Sequence, residues 1–222
     1  MKEYAIIVAG GKGTRMNNTV PKQFIELSGL PVLMHTINAF FSYSPNIDLI
    51  LILPNDELEV WAALCKKYNF NKPLQIVAGG ETRFQSVRNG LAAIETNDGL
   101  VAIHDGVRPL VSKDIIGASF RLAAVHQSAV AAVRLKESIR ITERNATTSV
   151  DRSSYRLIQT PQTFDLKLIK DAYKIKEEAS LTDDASVAER AGCKISLFEG
   201  SYSNIKITTP EDLVIAEALL NN

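Results

Sequence analysis

Tyr4-Ala5-Ile6-Ile7-Val8-Ala9 runs directly into Gly10-Gly11-Lys12-Gly13-Thr14-Arg15-Met16, and Pro21-Lys22-Gln23 comes shortly after. The first six residues form an apolar, β-branched run of the kind buried on both faces of a parallel sheet. The next seven form a glycine-rich, cationic loop. Gly10, Gly11 and Gly13 accept positive φ and carry no Cβ, so backbone N–H groups can converge on an anion. Arg15 offers a planar fork to phosphate oxygens, and Lys22 offers a mobile point charge. Strand and loop together predict a phosphate cradle at the carboxyl end of a buried strand. The dinucleotide fingerprint is excluded because Met16 stands where its last glycine belongs. The ATPase loop is excluded because Lys12 precedes Gly13 instead of preceding Ser or Thr. Taken alone, the glycines also fit a tight structural turn.

Further along the chain, short apolar runs recur near residues 48–53, 74–78, 100–104, 129–133 and 194–198. Between them lie stretches with helical spacing. Val32, Leu33, Ile37, Phe40 and Phe41 fall on one stripe, and Leu58 to Tyr68 and Ile115 to Val125 repeat the pattern. Strands alternating with helices predict an α/β fold with a doubly wound, mostly parallel sheet. The interval 136–157 departs from it. Ile139 and Ile141 alternate with Ser138, Arg140 and Thr142, Glu143-Arg144-Asn145 is a turn signal, and Thr147 to Val150 returns. A two-stranded ribbon is marginal alone, so this projecting arm is expected to lie on a second copy, making a homodimer. Beyond it, a helix is expected from Leu166 to Glu178, another opening at Thr182-Asp183-Asp184, and a last strand at 204–208. Thr209 and Pro210 then read as the N-cap and first residue of a final helix. One domain covering 1–222, with the arm inside it, is the simplest organisation.

Lys and Arg number 25, as do Asp and Glu, so the net charge is zero. With no long run of one sign, neither a nucleic acid nor a membrane surface is an expected partner. Cys65 and Cys193 lack the companions of a metal or redox site, and Met1-Lys2-Glu3 enters a strand without a signal-peptide pattern. No apolar segment reaches the length of roughly 18–20 residues needed to span a bilayer. These features predict a cytoplasmic protein.

Ligands of open α/β sheets sit beyond the carboxyl ends of the strands. The residues expected there are Gly10 to Lys22 after the first strand, Gly79-Gly80-Glu81-Thr82-Arg83 with Ser86 after the third, and His104-Asp105-Gly106-Val107-Arg108-Pro109 after the fourth. Asp105 can serve as a divalent-metal ligand or as a turn-stabilising side chain. Arg83, Arg108 and Lys206 read singly as solvated charges, and only their joint position favours a site. Asp183-Asp184 reads as helix capping, not as a metal pair. The histidines are scattered, and no Gly-x-Ser-x-Gly elbow occurs.

Taken together, these motifs resemble the cytidylyltransferases of the non-mevalonate isoprenoid pathway, nearly end to end. The resemblance rests on Ala9 through Met16, Pro21-Lys22-Gln23, Gly79-Gly80 through Arg83 with Ser86-Val87, and His104-Asp105 through Arg108-Pro109. Val150-Asp151-Arg152, Thr160-Pro161-Gln162 and Asn204-Ile205-Lys206 complete it. It implies transfer of CMP from CTP to 2-C-methyl-D-erythritol 4-phosphate, with magnesium. It further implies that Arg15 and Lys22 stabilise charge at the CTP α-phosphate while Arg152 and Lys206 hold the attacking phosphate. Ala9, Gly10, Gly11, Gly13, Gly80, Glu81, Ser86 and Gly106 would belong to the nucleotide site, with Asp105 beside the metal. Arg108, Ser138 and Thr160 would join Arg152 and Lys206 on the acceptor, Arg152 reaching the neighbouring subunit's site.

The chain departs from the family pattern in two places. Arg134-Leu135-Lys136-Glu137-Ser138 replaces Pro-Val-Lys/Arg-Asp-Thr, and Glu81 replaces Asp. The alternatives are a ribitol 5-phosphate cytidylyltransferase, which typically carries Val-Arg-Asn-Glu where Val150-Asp151-Arg152-Ser153 stands, and a nucleotide-sensing module without catalysis. A nucleotide-sugar glycosyltransferase would need an Asp-x-Asp motif, and none occurs.

Overall fold

The computed structural model describes residues 1–10, 20–143 and 146–221. Its elements run β1 (Glu3–Val8), β2 (Glu26–Leu27), β3 (Leu30–Pro31), α1 (Val32–Tyr43), β4 (Asp48–Leu53), α2 (Leu58–Lys67), β5 (Gln75–Ala78), α3 (Arg83–Ala92) and β6 (Leu100–Asp105). They continue α4 (Lys113–His126), β7 (Ser128–Arg134), β8 (Arg140–Glu143), β9 (Ala146–Ser149), β10 (Arg156–Asp165), α5 (Leu166–Ala172), α6 (Asp184–Arg190), β11 (Leu197–Glu199) and α7 (Pro210–Leu220).

Seven strands form the central sheet in the order β11-β7-β10-β6-β1-β4-β5. β1 pairs in parallel with β4 and β6, β4 with β5, and β7 with β11, whereas β10 runs antiparallel between β6 and β7. The α/β expectation therefore holds. From β1 the chain winds outward through β4 to β5, then crosses back to place β6 on the other side of β1. The strand order reverses between β1 and β6, and a crevice opens there at their carboxyl ends.

Period-2 alternation divides the core between the two faces of the sheet. Ala5, Ile7, Leu49 and Leu51 face α1, α2 and α4 through Leu33, Phe40, Trp61 and Phe120. Tyr4, Ile6, Ile50 and Ile52 face α3, α5 and α6 through Phe84, Val87, Ile169 and Val187. Gly106 is required where β1 and β6 converge: a Cβ there would lie 2.9 Å from Ala9 Cβ and 3.2 Å from Val8 O.

Several expected boundaries move. Arg156–Asp165 is a strand that the sequence pattern does not mark, because Pro161 argues against an internal strand. The sheet tolerates it because the β10–β7 pairing breaks between Ile158 and Gln162. α3 also escapes the periodicity rule, its apolar face reduced to Phe84, Val87 and Leu91 among polar residues and Gly90. Residues 204–208 are not a strand. Ile207 N–H makes one backbone bond, to Val107 O at 2.9 Å, while Asn204 and Arg108 supply side-chain links in place of a ladder. The 194–198 strand contracts to Leu197–Glu199. The helix expected to reach Glu178 stops at Ala172, where Tyr173 turns inward against Phe84 with ring centroids 4.8 Å apart. The arm consists of β8 paired with β9, every residue of both strands exposed.

Candidate active site

The switch-point crevice holds two adjoining clefts. One, of about 200 Å³, is bounded by Ala9, Gly10, Lys22, Gly80, Glu81 and Ser86. The other, of about 300 Å³, is bounded by Arg108, Gln159, Thr160, Gln162, Thr182 and Asp183. Both include Arg83, Asp105 and Lys206. A larger cavity of about 500 Å³ opens at the opposite ends of β1 and β4, between Lys2, Asp48 and Glu95. It lacks the convergence of charge that marks the crevice.

The first cleft is shaped by backbone. Ala9 is buried, and its N–H donates to Ile52 O at 3.0 Å. Fully buried Gln23 donates from Nε2 to Ala9 O at 3.0 Å and to Glu57 Oε2. The first bond ties the Lys22–Phe24 turn to the end of β1 and the second ties it to the start of α2, with Lys22 at the cleft. Burial raises the Glu57 carboxyl above its ordinary value. Opposite, Gly80 N–H donates to Ser86 Oγ at 3.1 Å and Glu81 N–H to Gln85 Oε1 at 3.1 Å. A side chain on Gly80 would overlap Gln85 Cβ, so glycine is what lets this loop lie on the first turn of α3.

Asp105, at the end of β6, is the electrostatic centre. Lys206 Nζ stands 3.0 Å from its Oδ2 and Arg108 Nε 3.3 Å from the same oxygen, while Arg83 Nε faces Oδ1 at 3.8 Å. Burial alone would push this carboxyl up. The charges of Arg83, Lys206 and Arg108 overrule it and hold the group well below the usual carboxylate range. Asp105 N–H donates to Thr160 Oγ1 at 3.1 Å, and that hydroxyl lies 3.0 Å from His104 Nδ1. Arg108 O is a carbonyl and can only accept, so Nε2 carries the hydrogen and donates to it at 3.2 Å. Burial pushes His104 down to about 4, so at neutral pH the ring is neutral and Nδ1 is left to accept from the Thr160 hydroxyl.

Lys206 is placed by a further pair of bonds. Asn204 Nδ2 donates to Thr160 O at 2.8 Å, and Arg108 Nη1 donates to Asn204 O at 2.8 Å. The loop carrying Lys206 is thus pinned to β10 and to the turn after β6.

A profile of the 2-C-methyl-D-erythritol 4-phosphate cytidylyltransferase (IspD) family matches residues 4–222. The chain belongs to this family. The 2-C-methyl-D-erythritol 4-phosphate cytidylyltransferase of Porphyromonas gingivalis is 49% identical over 100% of this chain and 99% of its own. That of Bacteroides thetaiotaomicron is 46% identical over 99% and 100%. The crystal structure of 4-diphosphocytidyl-2C-methyl-D-erythritol synthase from Anaerococcus prevotii superposes with a TM-score of 0.84 at 30% identity, covering 100% of this chain and 96% of that one.

Of the residues that the family resemblance singles out, Ala9, Gly10, Lys22, Gly80, Glu81, Ser86, Asp105, Arg108, Thr160 and Lys206 line the two clefts, with Gly106 adjoining them. Gly11, Gly13 and Arg15 lie outside the described residues. Ser138 and Arg152 are exposed at the root of the arm, away from the lining of either cleft, and Arg152 Nη1 donates to Lys136 O. Asp183 caps α6 as expected, its Oδ1 accepting from Ser186 N–H at 2.9 Å. Gln23, Asn204 and Asp184 order the site, and sequence reasoning gives them no such role. Each is a buried polar residue, and burial is the missing signal.

Proposed function

We propose that the two clefts are the nucleotide and acceptor sites of a cytidylyl transfer. As a member of its family, the protein joins CTP and 2-C-methyl-D-erythritol 4-phosphate to give 4-diphosphocytidyl-2-C-methyl-D-erythritol and pyrophosphate in isoprenoid biosynthesis. The observation that carries the assignment of sites is the shared wall: Asp105, ringed by Arg83, Arg108 and Lys206, where the clefts meet.

In this reading cytosine and ribose lie against Ala9, Gly10, Gly80, Glu81 and Ser86, with Gly11, Gly13 and Gly106 completing the nucleotide site. The acceptor phosphate lies by Lys206, with Arg108, Thr160 and Ser138 on its polyol. An acceptor phosphate oxygen attacks the α-phosphorus, the bond to the bridging oxygen breaks, and pyrophosphate leaves. Lys22 and Arg15 bear on the charge that develops there. Positioning and electrostatics account for the catalysis, as at other phosphoryl centres.

A divalent cation such as Mg2+ suits Asp105, a hard oxygen donor held ionised with Oδ1 beyond hydrogen-bond reach of Arg83. No group of three His, Cys, Asp or Glu side chains able to hold a metal occurs among the described residues, so nucleotide phosphates and water would complete its shell. When bound, the ion would offset phosphate charge. The rest of the proposal is a homodimer in which the arm, 136–157 of a single 1–222 domain, carries Arg152 to the partner's acceptor site. Exposed Tyr155, Leu157 and Ile158 at its root favour burial there. Two free cysteines and a nucleotide co-substrate support a cytoplasmic location.

The test is pyrophosphate release with CTP and Mg2+, offering 2-C-methyl-D-erythritol 4-phosphate and D-ribitol 5-phosphate in parallel. Release with the first alone is expected. Release with ribitol phosphate alone would move the protein to the sister activity, and release with neither would leave a nucleotide-sensing module.

A further inference from the structure

Asp184 is fully buried at the start of α6, in neither cleft, and its carboxylate accepts three hydrogen bonds. Arg83 Nη1 donates to Oδ1 at 2.9 Å, Arg83 Nη2 to Oδ2 at 2.6 Å, and Tyr173 O–H to Oδ1 at 2.6 Å. Burying such a pair costs desolvation that its attraction roughly repays, so stability alone does not account for it. Its geometric effect is specific. Both terminal nitrogens of Arg83 are turned toward Asp184, so only the Nε edge faces Asp105, at 3.8 Å. Arg83 reaches both clefts and adds positive potential there without grasping Asp105.

Asp105 shows what that restraint protects. Lys206 and Arg108 both address Oδ2, which leaves Oδ1 facing Arg83 alone of the three. A guanidinium fork released from Asp184 has a second carboxylate within reach, and a bidentate grip would occupy Oδ1. We propose that Asp184 is a positioning residue: it holds Arg83 off Asp105 and so keeps Asp105 Oδ1 open to a divalent cation. This rests on the reading of Asp105 as the cation's protein ligand. Tyr173 also secures Asp184, through a helix that ends early to bring the phenol inward.

The test titrates Mn2+ into the full-length protein with CTP and no acceptor, reading the enhancement of water-proton relaxation, and circular dichroism checks the fold. Asp105→Asn tests the underlying reading. If it leaves the titration unchanged, the cation is not at Asp105 and that reading fails, whatever Asp184 does. With that reading upheld, Asp184→Asn is expected to weaken Mn2+ binding about tenfold, as losses next to a metal ligand do. In an Arg83→Met background the same change should matter less than about twofold, because the competitor is gone. No effect of Asp184→Asn in the parent, or an equal loss in both backgrounds, overturns the proposal. If Asp184→Asn alone does not fold, the double variant, which removes both charges together, decides. Measured against Arg83→Met alone, so that the loss of Arg83 from the cleft walls is common to both, it should bind Mn2+ within about twofold, and binding about tenfold weaker sinks the idea.

Discussion

Lys206 Nζ lies 3.0 Å from Asp105 Oδ2, joining a loop near the end of the chain to the tip of a central strand. The lysine is 40% exposed while the aspartate is 11% exposed, so one end of the pair is in water. Lys206→Met is therefore expected to cost no more than about 1 kcal/mol of stability, since Arg83 and Arg108 still compensate Asp105. Turnover should fall by about 10²-fold or more, as when one charge stabiliser is removed from a transition state. Urea unfolding beside steady-state pyrophosphate release measures both. Near-normal turnover would remove Lys206 from the mechanism.

His104 makes acid sensitivity predictable. Its ordinary value is 6.5 and burial lowers it to about 4, so between these the unfolded chain binds the extra proton and stability falls as pH drops through that window. The loss attributable to this ring is about 3 kcal/mol by the low end. Asp105, lowered from 3.8, adds its own loss only below the window. His104→Asn retains an acceptor for Thr160 and should flatten the stability profile between pH 6.5 and 4. An unchanged slope in urea midpoints across that range would contradict this.

Gln23 spends both amide hydrogens on Ala9 O and Glu57. Gln23→Leu leaves a buried carbonyl and a half-buried carboxylate unpaired, an expected loss of about 1–3 kcal/mol. Because Ala9 borders the cleft proposed for the nucleotide, KM for CTP should rise more than KM for the acceptor. Equal changes in the two would show that the bond serves stability alone.

Lys22→Ala should cut turnover by about 10²-fold or more with the fold intact, because Lys22 is a surface residue of the cleft. Arg152→Ala, at the exposed root of the arm, should do the same without touching either cleft of its own chain. If Arg152 serves the partner's site, mixing the two inactive variants and allowing subunit exchange restores part of the activity, since some mixed dimers contain one intact site. Exchange demonstrated by mass spectrometry without recovery would place Arg152 in its own subunit's site.

The order of strands and helices is legible in the sequence because hydrophobic periodicity is local: Ile6 and Ile7 alternate faces whatever surrounds them. The chain's capping residues are equally plain, Thr209 before Pro210 and Asp183 before α6. Strand β10 is hidden because Pro161 breaks the local rule, and only the break in its pairing with β7 accommodates it. The candidate site divides in the same way. Local pattern suffices to say which charged residues end the strands, since Asp105 follows an apolar run and Lys22 follows the glycine loop. Only the assembled fold makes Lys206 and Arg83 converge on Asp105, keeps His104 neutral, and turns Asp184 into an internal counter-charge instead of a cap. Those facts depend on burial and on separations through space between residues distant in the chain, which no local pattern encodes.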